Sequence, residues 1–212
     1  EKVGVTFTKD VSFFEKAKLR ILNGTHSTLA YVGLLFGKET VYDAISTPAI
    51  QALISELLKR EIIPSIKTDS IQTLNQYADD IVARYHNKHI RHMLSQIAWD
   101  GSQKLPFRIL DTIRDNLNAN RDINLLCVPI GAWCLFAIRK AKSGDAITDP
   151  KASTLIDLAS QHAFEPVEVT NALLNETAIF AELSTNSVFR GHVLAQVKSL
   201  SAWSSQGVEE TL

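Results

Sequence analysis

Lys18-Leu19-Arg20-Ile21-Leu22-Asn23-Gly24-Thr25-His26 sets a lysine, an amide and an imidazole five and then three residues apart in an apolar surround. On a helix turning about 100° per residue, Lys18 stands at about 0°, His26 at about 80°, Asn23 at about 140° and Glu15 at about 60°. A proton acceptor, an oxyanion donor, a hydroxyl binder and a carboxylate able to relay protons therefore share one helical arc. That set suits oxidation of an alcohol to a ketone, in which a base takes the hydroxyl proton as hydride leaves the carbon. Leu19, Ile21, Leu22, Leu29, Ala30, Val32, Leu34 and Leu35 surround the polar four, so the segment reads as largely buried. A plain surface ion pair between Glu15 and Lys18 is the competing explanation.

The helical period extends outward in both directions. Ser12 and Glu15 form a capping box, and the apolar pattern then runs to about Phe36. Thr47-Pro48 opens a second helix through Leu57-Leu58, and Asp69 or Ser70 caps a third carrying Ile71 to Val82. A fourth is expected from His89 to Trp99, stopping at Asp100-Gly101, and a fifth with Pro106 in its first turn and Leu117 on its buried face. Leu125 to Ile138 follows without a charge. At 14 residues, with Pro129 and Gly131 inside it, this run reads as a buried core helix and not a membrane span. Three more helices are expected from Asp149-Pro150 to Gln161, Glu165-Pro166 to Phe180 and Asn186 to Trp203, with Ser204 to Leu212 frayed. The fold class is therefore all-α, one helical domain over residues 1–212, with a short strand at Lys2 to Phe7.

The bulk numbers exclude several function classes. A net charge of −1 over 212 residues gives no electrostatic footprint for nucleic acid or an anionic membrane. Lys16, Lys18 and Arg20 alternate on a helix and make no basic stripe. Cys127 and Cys134 stand about 10.5 Å apart on a helix, too far for a disulfide, so both read as reduced core residues of a cytoplasmic protein. His86, His89 and His92 lie beside Lys88 and Arg91 and lack a carboxylate at ligand spacing, so no metal site is expected. Trp99, Trp133 and Trp203 read as packing residues. None of the nine glycines builds G-x-G-x-x-G or a P-loop, so a dinucleotide cofactor would need a domain outside these residues. Glu1 in first position and an unpaired strand suggest part of a longer polypeptide.

The run Lys18 to His26 resembles the K-x4-N-G-x-H signature of the long-chain polyol dehydrogenases, the family of mannitol 2-dehydrogenase and fructuronate reductase (mannonate oxidoreductase). Gly4-Val5, Asp10-Val11 and Glu15 resemble that family's entry into its C-terminal domain. Gln96-Ile97-Ala98-Trp99-Asp100-Gly101-Ser102-Gln103-Lys104-Leu105-Pro106 resembles its second signature. The resemblance covers essentially the whole chain and implies a 6-phosphogluconate dehydrogenase C-terminal-like fold following an N-terminal Rossmann domain, the chain's expected partner. It implies that Lys18 is the general base and Asn23 stabilises the oxyanion with a second asparagine from the Rossmann domain. It implies that His26 binds a substrate hydroxyl, that Glu15 exchanges protons with solvent, and that Lys104 lies in the substrate pocket. Gln96 falls where some mannitol dehydrogenases carry a substrate-contacting arginine, and uronate-reducing relatives resemble this stretch better.

The implied reaction interconverts a secondary alcohol of a polyol or aldonate with a ketose or ketouronate, using NAD or NADP held mainly by the Rossmann domain and no metal. An aqueous lysine side chain is protonated at neutral pH, and desolvation beside a nicotinium charge favours its neutral, basic form. The other class of function is a non-catalytic helical interaction module, which an upstream dinucleotide fingerprint would exclude. Calorimetry on the isolated chain should therefore show no tight binding of NADH or NADPH; micromolar affinity would reveal a cofactor site in these residues and end the two-domain account.

Overall fold

The computed structural model describes residues 11–68 and 70–205. The expected strand Lys2 to Phe7, the side chains of Ser12 and Trp203, the candidate cap Asp69 and the tail beyond Ser205 lie outside the described residues. In chain order the α-helices are α1 (Val11–Ala17), α2 (Gly24–Leu35), α3 (Val41–Ile45), α4 (Pro48–Leu57), α5 (Ile71–Tyr85), α6 (Leu94–Ile97), α7 (Gly101–Leu105), α8 (Asp111–Asn118), α9 (Cys127–Ser143), α10 (Ala152–Gln161), α11 (Pro166–Leu173), α12 (Thr177–Phe180) and α13 (Ser187–Ser205). Wider π-helical turns at Lys18–Asn23, Leu58–Ile62 and Pro106–Leu110 interrupt or extend them. The β content of the described residues is one antiparallel bridge, Thr40 to Met93. The all-α reading holds.

The uncharged run forms α9, and α2, α10, α11 and α13 pack around it. Trp133, Ile130 and Cys134 are sealed from solvent, within one contiguous cluster of buried residues reaching from Ala17 to Leu200. Cys127 and Cys134 are free and buried, and burial pushes the Cys134 thiol up to about 12, where it is inert. No helix among the described residues is long and apolar enough to cross a membrane.

The N-terminal end of α9 is held by a buried carboxylate. Glu61, on the Leu58–Ile62 π-turn, has no exposed surface and accepts hydrogen bonds from the N–H groups of Leu125 (2.9 Å) and Leu126 (2.7 Å). These are donors that a helix start leaves without an intrahelical partner, and the helix dipole favours a negative group there. Burial pushes the Glu61 pKa up, and the two N–H bonds oppose that rise. Asn116 ties the same turn from the other side, its Nδ2 donating to the Glu61 carbonyl at 2.9 Å.

Several element boundaries depart from the sequence reading. Residues 89–93 are not helical: Val41 N–H donates to His92 O and Leu94 N–H to Glu39 O, so this stretch pairs with residues 39–41 and helix begins only at Leu94. Pro106 sits inside a continuous helical path that starts at Gly101, and the π-turn Pro106–Leu110 absorbs its missing N–H. The helix expected from Glu165 to Phe180 breaks after Leu173, and α13 continues through Ser205, past the expected fraying point. Trp99 is 47% exposed and is not a core residue.

Glu61→Gln keeps the size of the side chain while removing its charge and replacing one acceptor with a donor facing N–H. Its urea midpoint should fall by the equivalent of about 1–3 kcal/mol at unchanged m-value. An unshifted midpoint would show that this carboxylate does not hold α9.

Candidate active site

Five residues after Lys18 comes Asn23, and the two bound one π-helical turn. In a straight α-helix they would diverge by about 140°, but π-helical i→i+5 bonding stacks them on one face, as i and i+4 stack in an α-helix. The rotation of this turn is fixed from its inner side. Arg20 is only 4% exposed, and its guanidinium donates to Ser65 Oγ (2.8 Å), Ser65 O (3.0 Å) and Asp115 Oδ2 (2.6 Å). Lys16 Nζ reaches the same Asp115 oxygen at 2.9 Å. Burial alone would raise the Asp115 pKa, but the Lys16 and Arg20 hydrogen bonds outweigh it and hold the carboxyl below its usual range. With Arg20 inward, Lys18 is exposed and Asn23 half-buried.

Two further contacts hold the turn. A Cβ at Gly24 would stand 3.0 Å from the carbonyl oxygen of Arg108, so the absence of a side chain lets the Pro106–Leu110 turn close against α2. Tyr85, buried on α5, donates to Leu22 O at 3.0 Å and shares a 2.7 Å hydrogen bond with Thr25 Oγ1. The junction between π-turn and α2 is thereby pinned one residue before His26.

His26 is half-buried, with its ring centroid 4.9 Å from that of Tyr85 and 6.0 Å from that of His92. Its Nε2 is buried without a hydrogen-bond partner. Burial first, then His92, Arg108 and Arg84, lower its pKa to about 4. The imidazole is neutral at pH 7 and can accept from, or donate to, a hydroxyl.

The second signature is shaped by distant residues. Asp100 adopts a left-handed conformation (φ 57°, ψ 38°), and its N–H donates to Thr148 O at 2.9 Å. A Cβ at Gly101 would collide with Tyr31 Oη and Trp133 Nε1, so only glycine lets this turn lie on the core. Ser102 donates through N–H (2.8 Å) and Oγ (2.5 Å) to Asp149. Lys104 is half-buried, with Nζ 3.4 Å from Asp100 Oδ2, and Gln96 is exposed.

Lys18 and Asn23 thus share one turn, with His26 on the next. The cavities around them are separate. Lys18 lines a cavity of about 710 Å³ between α1 and α5 with Phe14, Tyr77 and Asp80. His26 lines one of about 50 Å³ with Tyr85, Arg84 and His92, and Glu15 one of about 410 Å³ with Asp111, Arg114 and Asp115. Lys104 and Gln96 line none of these three. Among the described residues no three His, Cys, Asp or Glu side chains gather as a metal site. The contact roles of Thr25, Tyr85 and Asp149 escaped the sequence reading, since contacts 47 to 63 residues away leave no local spacing to detect.

Residues 10–201 match the family model of the mannitol dehydrogenase C-terminal domain. The chain belongs to this family. It is 36% identical over 203 residues to D-mannonate oxidoreductase of Escherichia coli K12, covering 94% of this chain and 41% of that protein. It is 30% identical over 202 residues to mannitol 2-dehydrogenase of Cereibacter sphaeroides, covering 94% and 42%. The fold matches that of Pseudomonas fluorescens mannitol 2-dehydrogenase in ternary complex with NAD and D-mannitol, with a TM-score of 0.83 at 27% identity over 97% of this chain and 42% of that one. The chain thus spans about two fifths of the length of these relatives.

Proton nuclear magnetic resonance should find His26 neutral at pH 6 and titrating near pH 4; a midpoint above 6 would remove the burial account. The folded value of about 4 lies below the ordinary 6.5, so as pH falls through that window the unfolded chain takes up the proton first. The His26 contribution to stability is therefore complete above about 6.5 and lost towards about 4, and His26→Gln should flatten that part of the stability profile.

Proposed function

We propose that this chain is the substrate-binding and catalytic domain of an NAD(P)-dependent oxidoreductase that interconverts a secondary alcohol of a polyol or aldonate with the corresponding ketose or ketouronate. The observation that carries this reading is the π-helical turn presenting Lys18 and Asn23 on one face, with a neutral His26 on the next turn. Membership of the mannitol dehydrogenase C-terminal family supports it.

In this reading Lys18, as the neutral amine, takes the proton of the reacting hydroxyl. The Asn23 amide donates to the oxygen as negative charge grows on it, which favours the transition state over the bound alcohol. Neutral His26 fixes a second hydroxyl, and Lys104, steadied by Asp100, stands at the edge of the substrate site. Glu15 and Gln96 are exposed, positions suited to proton exchange with solvent and to the rim of a site closed by another domain. The hydride acceptor would be supplied by a bound nicotinamide cofactor. This chain has no glycine-rich phosphate turn, so the cofactor belongs mainly to an N-terminal Rossmann domain of the parent polypeptide. Exposure of Lys18 agrees with a site whose second wall lies on that domain.

Lys18→Ala in the parent enzyme should lower kcat at least about 10²-fold, the scale of losing a positioned general base, with a smaller change in KM. Turnover close to that of the unaltered enzyme would exclude Lys18 from the role.

A further inference from the structure

Arg108, on the Pro106–Leu110 π-turn, is half-buried and enters no ion pair among the described residues. Its backbone carbonyl lies 3.0 Å from where a Gly24 Cβ would stand, and its Nη1 donates to Ser27 Oγ at 3.2 Å. The side chain therefore runs along the first turn of α2. Ser27 is buried, so this hydrogen bond fixes one edge of the guanidinium. Nε is sealed from solvent without a partner, whereas Nη2 makes no hydrogen bond among the described residues and stays open to solvent. Burial lowers the Arg108 pKa, and a guanidinium remains charged all the same. A half-buried cation with idle donors is costly, because part of its hydration is lost and no anion replaces it.

Helical rotation places this group relative to Asn23. With Asn23 as origin and about 100° per residue, His26 stands at about −60° and Thr25 at about −160°, whereas Ser27 stands at about +40° and Gly24 at about +100°. Tyr85 of α5 meets Thr25 and His26, while Arg108 meets Gly24 and Ser27. Asn23 thus lies between two walls, α5 on the His26 side and the Pro106–Leu110 turn on the Arg108 side. The Arg108 charge is also felt at His26, where it helps to lower the imidazole pKa.

We infer that Arg108 is a substrate-contacting residue whose open Nη2 edge donates to a hydroxyl oxygen of the sugar chain, on the side of Asn23 away from His26. Ser27 is its positioning residue. The inference rests on the dehydrogenase reading above and adds a residue to that site. A guanidinium only donates, and a hydroxyl oxygen can accept from it while passing its own proton to another acceptor. Such a charge-assisted hydrogen bond is about twice as strong as a neutral one. The sugar chain is then gripped from both sides of the turn, by His26 and by Arg108, while the reacting hydroxyl rests at Lys18 and Asn23.

Steady-state kinetics on the parent enzyme test the contact, using whichever of D-mannonate, D-altronate, D-mannitol or D-arabinitol it oxidises fastest. Arg108→Gln should raise KM about ten- to a hundredfold and change kcat less than about threefold, as expected for one charged hydrogen bond made equally in ground and transition states. Arg108→Lys, which keeps the charge without the planar fork, should recover part of the loss. Ser27→Ala should raise KM by less, and adding it to Arg108→Gln should have no further effect, since Ser27 acts through Arg108. In the parent enzyme labelled at histidine, Arg108→Gln should move the His26 titration midpoint upward from about 4. An unaltered KM in Arg108→Gln overturns the assignment, and so does an unmoved His26 midpoint. Weakened NADH binding at unaltered KM would give the guanidinium to a cofactor phosphate, and a lower Tm at unaltered KM would give it to the domain interface; either result overturns the contact. If Arg108→Gln does not fold, an unaltered KM in Ser27→Ala overturns it instead. Turnover of none of the four sugars by the unaltered enzyme removes the dehydrogenase reading and the contact together, whereas ordinary turnover with an Arg108-independent KM removes the contact alone.

Discussion

Arg20 is the residue on which the orientation of the site depends. A guanidinium this deeply buried is stable only when its donors are satisfied, and Ser65 and Asp115 satisfy them from two other parts of the chain. Those contacts fix the azimuth of the π-turn: Arg20 points in, which leaves Lys18 exposed and Asn23 half-buried. Removing Asp115 would leave a buried charge partly unpaired, a more disruptive change than loss of an exposed ion pair. The same carboxylate also holds Lys16, so the charge on Asp115 anchors the end of α1 and the start of the π-turn together.

The three π-turns each place a group that a straight α-helix would misdirect. At Lys18–Asn23 the wider turn stacks two polar residues five apart. At Leu58–Ile62 it presents the Glu61 carboxylate to the first N–H groups of α9. At Pro106–Leu110 it lets a helix continue through a residue that cannot donate. Such turns sacrifice regular hydrogen bonding and occur often at functional sites, where the gain in placement compensates. Here two of them, Lys18–Asn23 and Pro106–Leu110, pack against each other across the bare Cα of Gly24.

The charge pattern follows from this arrangement. Three acidic groups near the site hold structural partners: Asp115 holds Arg20 and Lys16, Asp149 holds Ser102, and Asp100 holds Lys104. Arg84, which lines the small cavity beside His26, has no ion-pair partner among the described residues. Burial meanwhile keeps His26 neutral, so one small region joins a permanent cation to an uncharged hydrogen-bonding ring.

The amino-acid sequence by itself determined the helical class, the buried helix near Leu125 to Ile138, the reduced cysteines and the residues of both signatures, because each is written in local periodicity, spacing or composition. Thr47-Pro48 marked a helix start through backbone chemistry that needs no partner, whereas the helix expected from Asp149-Pro150 begins at Ala152. Only the tertiary structure decided that Lys18–Asn23 is a π-turn, since its angle depends on Arg20 meeting Ser65 and Asp115, 45 and 95 residues away. It also decided that residues 89–93 leave the helix to pair with residues 39–41, and that Pro106 lies mid-helix. The roles of Tyr85, Thr25 and Asp149 were likewise settled by distant contacts. Helical period records which face is apolar, but the rotation of a turn and the charge left unpaired in a cavity are fixed by which side chains meet across the fold, and one-dimensional spacing does not contain that.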